Sequence, residues 1–251
     1  MSKMQCIYGL HVVYATLKAN PGCVLEVYCD NKRRDQRIEK ITTLVERNNI
    51  TISHVTRTEL DSMVQQARHQ GVVAQCKLPA PYPEAVLERI IDGLERPALL
   101  LILDGVQDPH NLGACLRSAD GAGVDAVVVP KDRAATLTPS AIKIASGAAF
   151  SVPVIQVTNL SRTLKKLQQK GVWLVGADGQ SSQLLYDIDL TGSVGIVMGA
   201  EGSGLRRLTK EVCDHLVKLP MQGAVDSLNV SVATGICLYE ARRQRLTLKS
   251  E

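Results

Sequence analysis

The stretch DGVQDPHNLGACLRSADGAGVDAVVVP, residues 104–130, decides the fold class of this chain of 251 residues. An apolar run at 98–103 comes directly before it and predicts a buried strand, and residues 126–129 predict another. A helix is predicted between them at 112–120, and the chain returns from it through two glycines. Near-continuous apolar strands joined by a helix are typical of a parallel sheet that is covered on both faces.

Polar side chains in this stretch indicate a functional site. Asn111 and Gly113 lie at the mouth of the predicted helix, and Arg117 lies further inside it. They follow the carboxyl end of a predicted strand, which is where open α/β sheets bind their ligands. A segment that only fills a core needs neither an amide nor a guanidinium, so the stretch predicts a binding or catalytic site.

Strands and helices alternate over two predicted domains. Residues 98–251 form the larger one, with further strands at 152–157, 172–177, 194–198 and 215–219 and further helices at 139–147, 161–169, 206–214 and 229–245. Residues 1–78 form a small α/β domain, with strands at 24–29, 50–55 and 72–76 and helices at 35–47 and 58–66, the second capped by Thr58. Residues 79–97 are predicted as a linker because prolines crowd its start, with a short helix at 84–93.

The composition limits the classes of protein to consider. No apolar run approaches the roughly 20 residues that span a bilayer, and the first residues lack the apolar segment and cleavage site of a secretory signal. The seven cysteines are scattered with no C-x-x-C pair, so neither a disulfide framework nor a metal site is predicted. We therefore expect a cytoplasmic protein without a membrane partner.

The positive charge is concentrated in the first predicted domain. Residues 1–78 hold 11 Lys and Arg against 7 Asp and Glu, whereas the remaining residues hold 18 of each kind. The densest cluster is Lys32, Arg33, Arg34 and Arg37, which is either a solvated helix start or a surface that attracts RNA phosphates. With one Phe and one Trp in the chain, a platform for stacking bases is not expected.

A glycine-rich loop follows the strand predicted at 194–198. The sequence IVMGAEGSGL, residues 196–205, has the spacing G-x-x-G-x-G, which is neither the dinucleotide fingerprint nor a P-loop. A dehydrogenase that uses a nicotinamide nucleotide is therefore disfavoured. A tight turn alone would explain the glycines, but Glu201 between them has no packing role.

A third polar loop, LPMQGAVDSLNVSVA, covers residues 219–233. It places Ser227 and Asn229 at the start of the long final helix, where helix capping alone would explain either residue. Three polar loops, each at the carboxyl end of a predicted strand, favour one shared site.

Short motifs in the three loops resemble the signatures of a known family. N-x-G-x-x-x-R begins at Asn111, M-G-x-E-G-x-G at Met198 and S-L-N-V-S-x-A at Ser227. In this order they resemble the SpoU (TrmH-type, SPOUT) RNA ribose 2′-O-methyltransferases. In the first domain, residues 8–11, YGLH, and 69–74, HQGVVA, are similar to members that carry an N-terminal domain like ribosomal protein L30e.

The resemblance implies a fold, an activity and partners. The second domain should be an α/β fold threaded into a deep trefoil knot, preceded by a smaller L30e-like domain that binds the RNA substrate. S-adenosylmethionine should be the cofactor, and backbone groups of four residues should hold it: Gly199, Leu219, Met221 and Leu228. The protein should be a homodimer, with the final helix in or near the interface and the RNA site shared. The implied reaction is 2′-O-methylation of a guanosine in 23S rRNA, without a metal.

The family motifs supply five candidate catalytic residues, namely Asn111, Arg117, Glu201, Ser227 and Asn229. Arg117 is the usual candidate for the base, but arginine is effectively always protonated. We therefore expect it to bind the target phosphate and to stabilise the developing alkoxide. Asn111 would orient Arg117 or the ribose hydroxyl, and Glu201 would hold the arginine or a loop donor. Ser227 and Asn229 would bind the substrate or fix the cofactor loop.

Two alternatives remain open. The same chemistry acting on tRNA is one, and an RNA-binding relative that has lost its activity is the other. The L30e-like domain argues for rRNA, and the intact candidate residues argue against lost activity. Phe150 is the reason to retain the tRNA alternative, because close rRNA-modifying relatives typically carry glutamate at that position.

Overall fold

The structure, a computed structural model, describes residues 4–77 and 79–247. Its chain divides into two compact units. The first contains Met1–Ala80 and Leu137–Ser151, and the second contains Pro81–Thr136 and Val152–Glu251. The sequence places residues 137–151 between strands of the larger domain, whereas they group here with the first unit. The expected boundaries at 78 and 97 stay predictions.

A four-stranded sheet forms the centre of the first unit. Its strands are β1 (Met4–Tyr8), β2 (Val24–Asp30), β3 (Thr51–Val55) and β4 (Val72–Lys77), and its helices before residue 80 are α1 (Leu10–Ala19), α2 (Gln36–Arg47) and α3 (Arg57–Met63). The strand order is β1-β4-β2-β3. β2 is parallel to β3, and β4 is antiparallel to β1 and to β2. The sequence predicted β2, β3, β4 and α2 to within one residue at each end but missed β1 and α1.

Side-chain caps determine where α2 and α3 begin. The Asp35 carboxylate accepts hydrogen bonds from the backbone N–H groups of Arg37 and Ile38. Thr56 caps α3 in a capping box, in which its hydroxyl accepts from the Glu59 N–H and the Glu59 carboxylate accepts from the Thr56 N–H. The prediction of Thr58 as the cap was therefore wrong, because the T-x-x-E pattern of a capping box starts at Thr56.

A seven-stranded sheet forms the centre of the second unit. In chain order its elements are β5 (Tyr82–Pro83), α4 (Glu84–Asp92), β6 (Leu99–Asp104), α5 (Pro109–Ala122), β7 (Ala126–Pro130), β8 (Val154–Val157), α8 (Leu160–Gln169), β9 (Trp173–Ala177), β10 (Val194–Gly199), α9 (Arg207–Val212), β11 (His215–Val217) and α10 (Val230–Thr247). The strand order is β11-β9-β10-β6-β7-β8-β5. Every pairing in this order is parallel, so the predicted α/β class is confirmed. The trefoil knot stays a prediction.

Two segments of the chain differ from their predicted secondary structure. The predicted linker contains α4, as expected, but it also contains β5, which pairs with β8 at the edge of the large sheet. The helix predicted at 139–147 ends two residues earlier, as α6 (Pro139–Ala145), and a short helix that was not predicted, α7 (Ala148–Ser151), follows it. Ser146 and Gly147 lie between the two helices, and their left-handed φ angles of 52° and 99° end α6.

The centre of the large sheet is buried on both faces. Every residue of β6 and β7 is buried, which explains their uninterrupted apolar sequence. Helices α4 and α8 add side chains such as Leu87, Leu160 and Leu164 to this core. The parallel register aligns Gly199 at the end of β10 with Asp104 at the end of β6. The loops that follow these strands therefore leave the sheet from the same edge.

Candidate active site

A cavity of about 540 Å³ lies at the carboxyl edge of the large sheet. Four stretches of chain line it: the loop after β9, the loop after β10, the end of β11 with the turn after it, and the residues that lead into α10. These stretches come together because the strands of a parallel sheet all have their carboxyl ends at the same edge. Segments far apart in sequence thereby form one concave surface, as the polar loops predicted.

The glycine loop approaches itself so closely that only glycine fits at its first position. A Cβ built on Gly199 would lie 2.1 Å from the backbone carbon of Gly204. Ala200 and Gly204 exchange two backbone hydrogen bonds of 3.1 and 2.9 Å. Gly202 and Gly204 have φ angles of 79° and 65°, which glycine adopts without strain. The loop is thus a closed turn that leaves the end of β10 accessible from the cavity.

A chain of hydrogen bonds connects the three motifs. The Asn229 amide donates to Asn111 Oδ1 over 3.0 Å, and the Asn111 amide donates to Glu201 Oε2 over 3.2 Å. Asn229 Oδ1 in turn accepts from the backbone N–H and the hydroxyl of Ser231. Both functions of the buried Asn111 side chain are used, so its orientation is fixed. Glu201 accepts a hydrogen bond from the Asn111 amide. From the sequence, Glu201 was expected to hold Arg117 or a donor in a loop.

Helices α5 and α10 position the two asparagines by packing side by side. Asn111 pairs with Asn229, which lies 118 residues further along the chain. Cys115 pairs with Thr234, which lies 119 residues further along, and their Sγ and Oγ1 atoms are 3.5 Å apart. Because the sequence separation of the paired residues is nearly the same in both pairs, the two helices run parallel. Their amino ends therefore meet at the carboxyl edge of the sheet, where Asn111 and Asn229 belong to the same site.

Two ion pairs connect the loops around the cavity, and neither of them was predicted from the sequence. The buried Asp104 carboxylate at the end of β6 accepts from the backbone N–H of Arg206 over 3.0 Å and from its guanidinium. This ion pair connects the end of β6, just before the stretch that contains Asn111, to the end of the glycine loop. At the cavity wall, Lys210 Nζ lies 2.6 Å from Asp178 Oδ2. Charged residues without a motif around them are uninformative until the fold brings them together.

The structure brings together most of the predicted site residues. All four predicted cofactor residues line the cavity, as do three of the predicted catalytic residues: Gly199, Leu219, Met221, Leu228, Glu201, Ser227 and Asn229. Asn111 joins them through its hydrogen bonds. Arg117 does not line the cavity, and its side chain is exposed on α5 and has no hydrogen bond or ion pair with another described residue. The roles of these residues stay predictions.

Burial and ion pairing act in opposite directions on the one cavity carboxyl with a resolved pKa shift. Burial is the largest single influence and raises the pKa of Asp178, but the hydrogen bond and charge of Lys210 and the N–H of Gln180 lower it and together outweigh burial. The net effect is a pKa below the ordinary value, so Asp178 is a carboxylate at neutral pH. It contributes negative charge to the cavity wall beside a lysine.

The described part of the chain carries neither a metal-binding cluster nor a membrane-spanning helix. Within residues 4–77 and 79–247, no group of three or more His, Cys, Asp and Glu side chains is placed to hold a metal ion. The helices in the same ranges include none that is both long enough and apolar enough to cross a membrane.

The chain matches two known protein families. Residues 98–239 match the SpoU rRNA Methylase family, and residues 6–82 match the family described as RNA 2′-O ribose methyltransferase substrate binding. Curated relatives are similar over almost their whole length. The 23S rRNA (guanosine-2′-O-)-methyltransferase RlmB of Pseudomonas syringae is 54% identical over 98% of both chains. The RlmB of Coxiella burnetii is 51% identical, again over 98% of both.

Solved structures of similar fold cover nearly the whole chain. A structure described as an RNA 2′-O ribose methyltransferase has a TM-score of 0.77 and 28% identity, and covers 98% of this chain and 90% of its own. The SpoU methyltransferase AviRb of Streptomyces viridochromogenes, solved with its cofactor AdoMet, shares the fold with a TM-score of 0.76 at 24% identity over 96% and 90% of the two chains. The TrmH/SpoU tRNA modifying enzyme of A. aeolicus has 30% identity and a TM-score of 0.56, and covers 66% of this chain and 85% of its own.

Proposed function

The chain belongs to the SpoU rRNA methylase family, and we propose that it transfers a methyl group from S-adenosylmethionine to the ribose 2′-oxygen of a guanosine in 23S rRNA. The observation that carries the proposal is the meeting of the three motif loops at one cavity, where hydrogen bonds join Asn229, Asn111 and Glu201. The relatives that are more than half identical over 98% of the chain support the choice of substrate.

The cavity fits S-adenosylmethionine in size and lining. Its volume of about 540 Å³ is that of a pocket for a small molecule. Backbone groups at Gly199, Leu219, Met221 and Leu228 would hold the donor, and the bare backbone at Gly199 permits close approach. When bound, the donor supplies an activated methyl group on its sulfonium. This chain's residues then need to orient the acceptor oxygen.

Glu201 and the asparagine pair are placed to orient the acceptor ribose. The Glu201 side chain is exposed at the cavity and uses one oxygen to hold Asn111, so its carboxylate keeps lone pairs for a ribose hydroxyl. A hydrogen bond from the 2′-hydroxyl to this carboxylate would fix the direction of the attacking oxygen. Orientation of this kind contributes roughly 7–11 kcal/mol to well-aligned reactions. Ser227, at the same wall, would bind the substrate or the cofactor loop.

Arg117 acts on the RNA from outside the cavity lining. Its guanidinium has no competing carboxylate among the described residues, so it is free to bind the phosphate next to the target ribose. A bound phosphate would set the position of the nucleotide, and the positive charge would favour the alkoxide that develops at the 2′-oxygen. The role is electrostatic, because arginine does not accept a proton at neutral pH.

The protein acts as a homodimer that uses α10 at its interface. Val232, Tyr239 and Leu246 lie seven residues apart on this helix and are exposed by 51%, 53% and 49%. Residues seven apart fall on nearly the same side of a helix, so they form one apolar stripe. Covering the stripe with a second copy would also offer Arg117 of one protomer to RNA at the partner's cavity.

A methyl-transfer assay with labelled S-adenosylmethionine tests the function. Deproteinised 23S rRNA should accept label, and total tRNA should accept none. A Glu201→Gln variant, which keeps the shape and removes the charge, should bind the donor normally and transfer far more slowly. Donor binding without transfer to either RNA would overturn the proposed enzyme, and transfer to tRNA alone would overturn the substrate.

A further inference from the structure

A cavity of about 530 Å³ lies on the first unit, outside the site described above. It opens where β2 and β3 end, so it lies at the carboxyl edge of the parallel strands of this sheet. Asp30 at the end of β2, Arg57 after β3 and the loop 66–71 before β4 form its walls. Carboxyl edges of parallel strands are common ligand sites, and the methyltransferase chemistry makes no use of this one.

Arginines dominate the lining of this cavity. Four of them, Arg33, Arg37, Arg57 and Arg68, face two aspartates, Asp30 and Asp61, which leaves a net positive charge. The guanidiniums of Arg37, Arg57 and Arg68 have no hydrogen bond or ion pair with any residue in the described ranges. Three unpaired guanidiniums around one concave surface repel one another, and an anion between them would remove that repulsion.

Buried hydrogen bonds hold the floor of the cavity in place. His69 is 2% exposed, and its Nδ1 accepts from the backbone N–H of Gly71 over 3.0 Å while its Nε2 lies 3.0 Å from Asp61 Oδ1. Gln70 Oε1 accepts from the backbone N–H of Leu10 over 3.2 Å. The loop is therefore tied both to α3 and to α1, and it presents a preformed surface.

Arg33 is fixed against this floor. Its Nη1 donates to the Gln70 carbonyl, and its Nε pairs with Asp35. A Cβ on Gly71 would lie 2.9 Å from Arg33 Cδ, so glycine allows this close approach. Gln65, Gln66 and Gln70 have left-handed φ angles of 51°, 62° and 54°, which is a strained conformation for residues other than glycine. Such strain is typical of segments that form ligand sites.

We propose that this cavity binds a backbone phosphate of the RNA substrate, through the guanidiniums of Arg37, Arg57 and Arg68. The inference rests on the proposed function for the identity of the anion. Guanidiniums match phosphate oxygens with two parallel hydrogen bonds, and each phosphate that a protein neutralises makes binding weaker at higher salt. The cavity thus binds the RNA through its backbone and contributes to the KM for RNA.

The test compares a double variant, Arg57→Gln with Arg68→Gln, with wild type and with Arg47→Gln. Arg47 is a matched control, because it lies at the opposite end of α2, about 15 Å along the helix from Arg37. For the double variant we expect the KM for 23S rRNA to rise roughly 3- to 10-fold with an unchanged kcat. The slope of log affinity against log salt should become shallower by about 1 to 2. The affinity for S-adenosylmethionine and the melting temperature should not change.

Several outcomes would overturn the inference. An unchanged KM and salt slope, or equal changes in Arg47→Gln, would show that the cavity does not contact RNA. If inorganic phosphate or a free nucleotide binds in a way that depends on Arg57 while RNA affinity does not, the cavity serves a small anion instead. Fluorescence anisotropy with a labelled rRNA fragment measures binding without turnover, so a failure of the methyltransferase assignment would be recognised separately.

Discussion

Single residues determine the geometry of the active site. Gly199, Asn111 and Glu201 come from different loops, and each has a property that no other residue type supplies at its position. Gly199 lacks a side chain where the backbone of Gly204 approaches, Asn111 both donates and accepts, and Glu201 is the acceptor at the end of the hydrogen-bond chain. The motifs revealed all three residues in the sequence, although a tight turn alone would explain Gly199, whereas Asn111 and Glu201 differ from what a core or a simple turn requires.

Replacing Asn111 with aspartate should disable methyl transfer while leaving the donor site intact. The new carboxylate cannot donate to Glu201 and would repel it over about the present 3.2 Å. We expect kcat to fall roughly 10²- to 10³-fold, the usual cost of losing one positioned polar group. Single-turnover transfer and calorimetric donor binding measure the two effects. A parallel loss of donor affinity would contradict the role of Asn111 on the RNA side.

Replacing Gly199 with alanine should abolish donor binding. The added carbon would lie 2.1 Å from the Gly204 backbone, so the glycine loop must open. Gly192→Ala is the control, because a Cβ there meets no atom within 4 Å. Calorimetry with S-adenosylmethionine should detect no binding to the first variant and normal binding to the second. Normal affinity in Gly199→Ala would show that the loop is not part of the donor site.

The Asp178–Lys210 pair should make stability depend on pH in a defined direction. Burial raises the pKa of Asp178, but the hydrogen bond and charge of Lys210 together with the Gln180 N–H outweigh it, so the pKa is lowered in the folded protein. Stability from such a carboxyl is present above the unfolded pKa of about 4 and is lost as the pH falls through the lower folded value. Lys210→Met should therefore reduce the free energy of unfolding by roughly 1 kcal/mol at pH 7 and by less at pH 3. Urea unfolding at both pH values measures this, and an equal difference at both would contradict it.

At the scale of elements, the periodicity of apolar residues predicted most helices and strands. Buried strands such as β6 and β7 were predictable because both of their faces are apolar. β5 was not, because two residues with a proline carry no strand pattern and pair only through the neighbouring β8. The end of α6 was predicted two residues late, since a left-handed serine leaves no mark in the sequence, and the short α7 was not predicted.

The contact between β6 and the start of α9 depends on Asp104. Its buried carboxylate accepts from Arg206 through both backbone and guanidinium. Asp104→Asn should lower the free energy of unfolding by about 1.5–3 kcal/mol, the range for hydrogen bonds to charged groups. The neighbouring exposed pair Arg207–Glu211 is the control, because Glu211→Gln should change stability by less than about 0.5 kcal/mol. Equal effects in denaturant titrations would mean that burial of Asp104 is unimportant.

At the scale of the whole molecule, the sequence indicated two α/β parts and a shared site. It could not indicate that residues 137–151 group with the first unit, because the helix pattern there does not say what the helices pack against. It also could not place Arg117 relative to the cavity, since a motif gives order and spacing along the chain but not the relation between helix faces.

The apolar stripe on α10 should hold two copies together. Val232→Arg would place a charge at one end of that stripe, so we expect a monomer in multi-angle light scattering and slower methyl transfer. Leu208→Arg, at a residue of α9 with 55% exposure, is the control and should remain dimeric and active. A wild-type monomer with full activity would contradict the homodimer.

Identifying the methylated nucleoside tests most directly whether the protein methylates the ribose 2′-oxygen of a guanosine in 23S rRNA. The protein is incubated with 23S rRNA that lacks the modification and with S-adenosylmethionine, and the RNA is digested to nucleosides for mass spectrometry. We expect 2′-O-methylguanosine to appear in proportion to enzyme and to form roughly 10²- to 10³-fold more slowly with Asn111→Asp. A methyl group on a base, on another nucleoside, or on no nucleoside at all would contradict it.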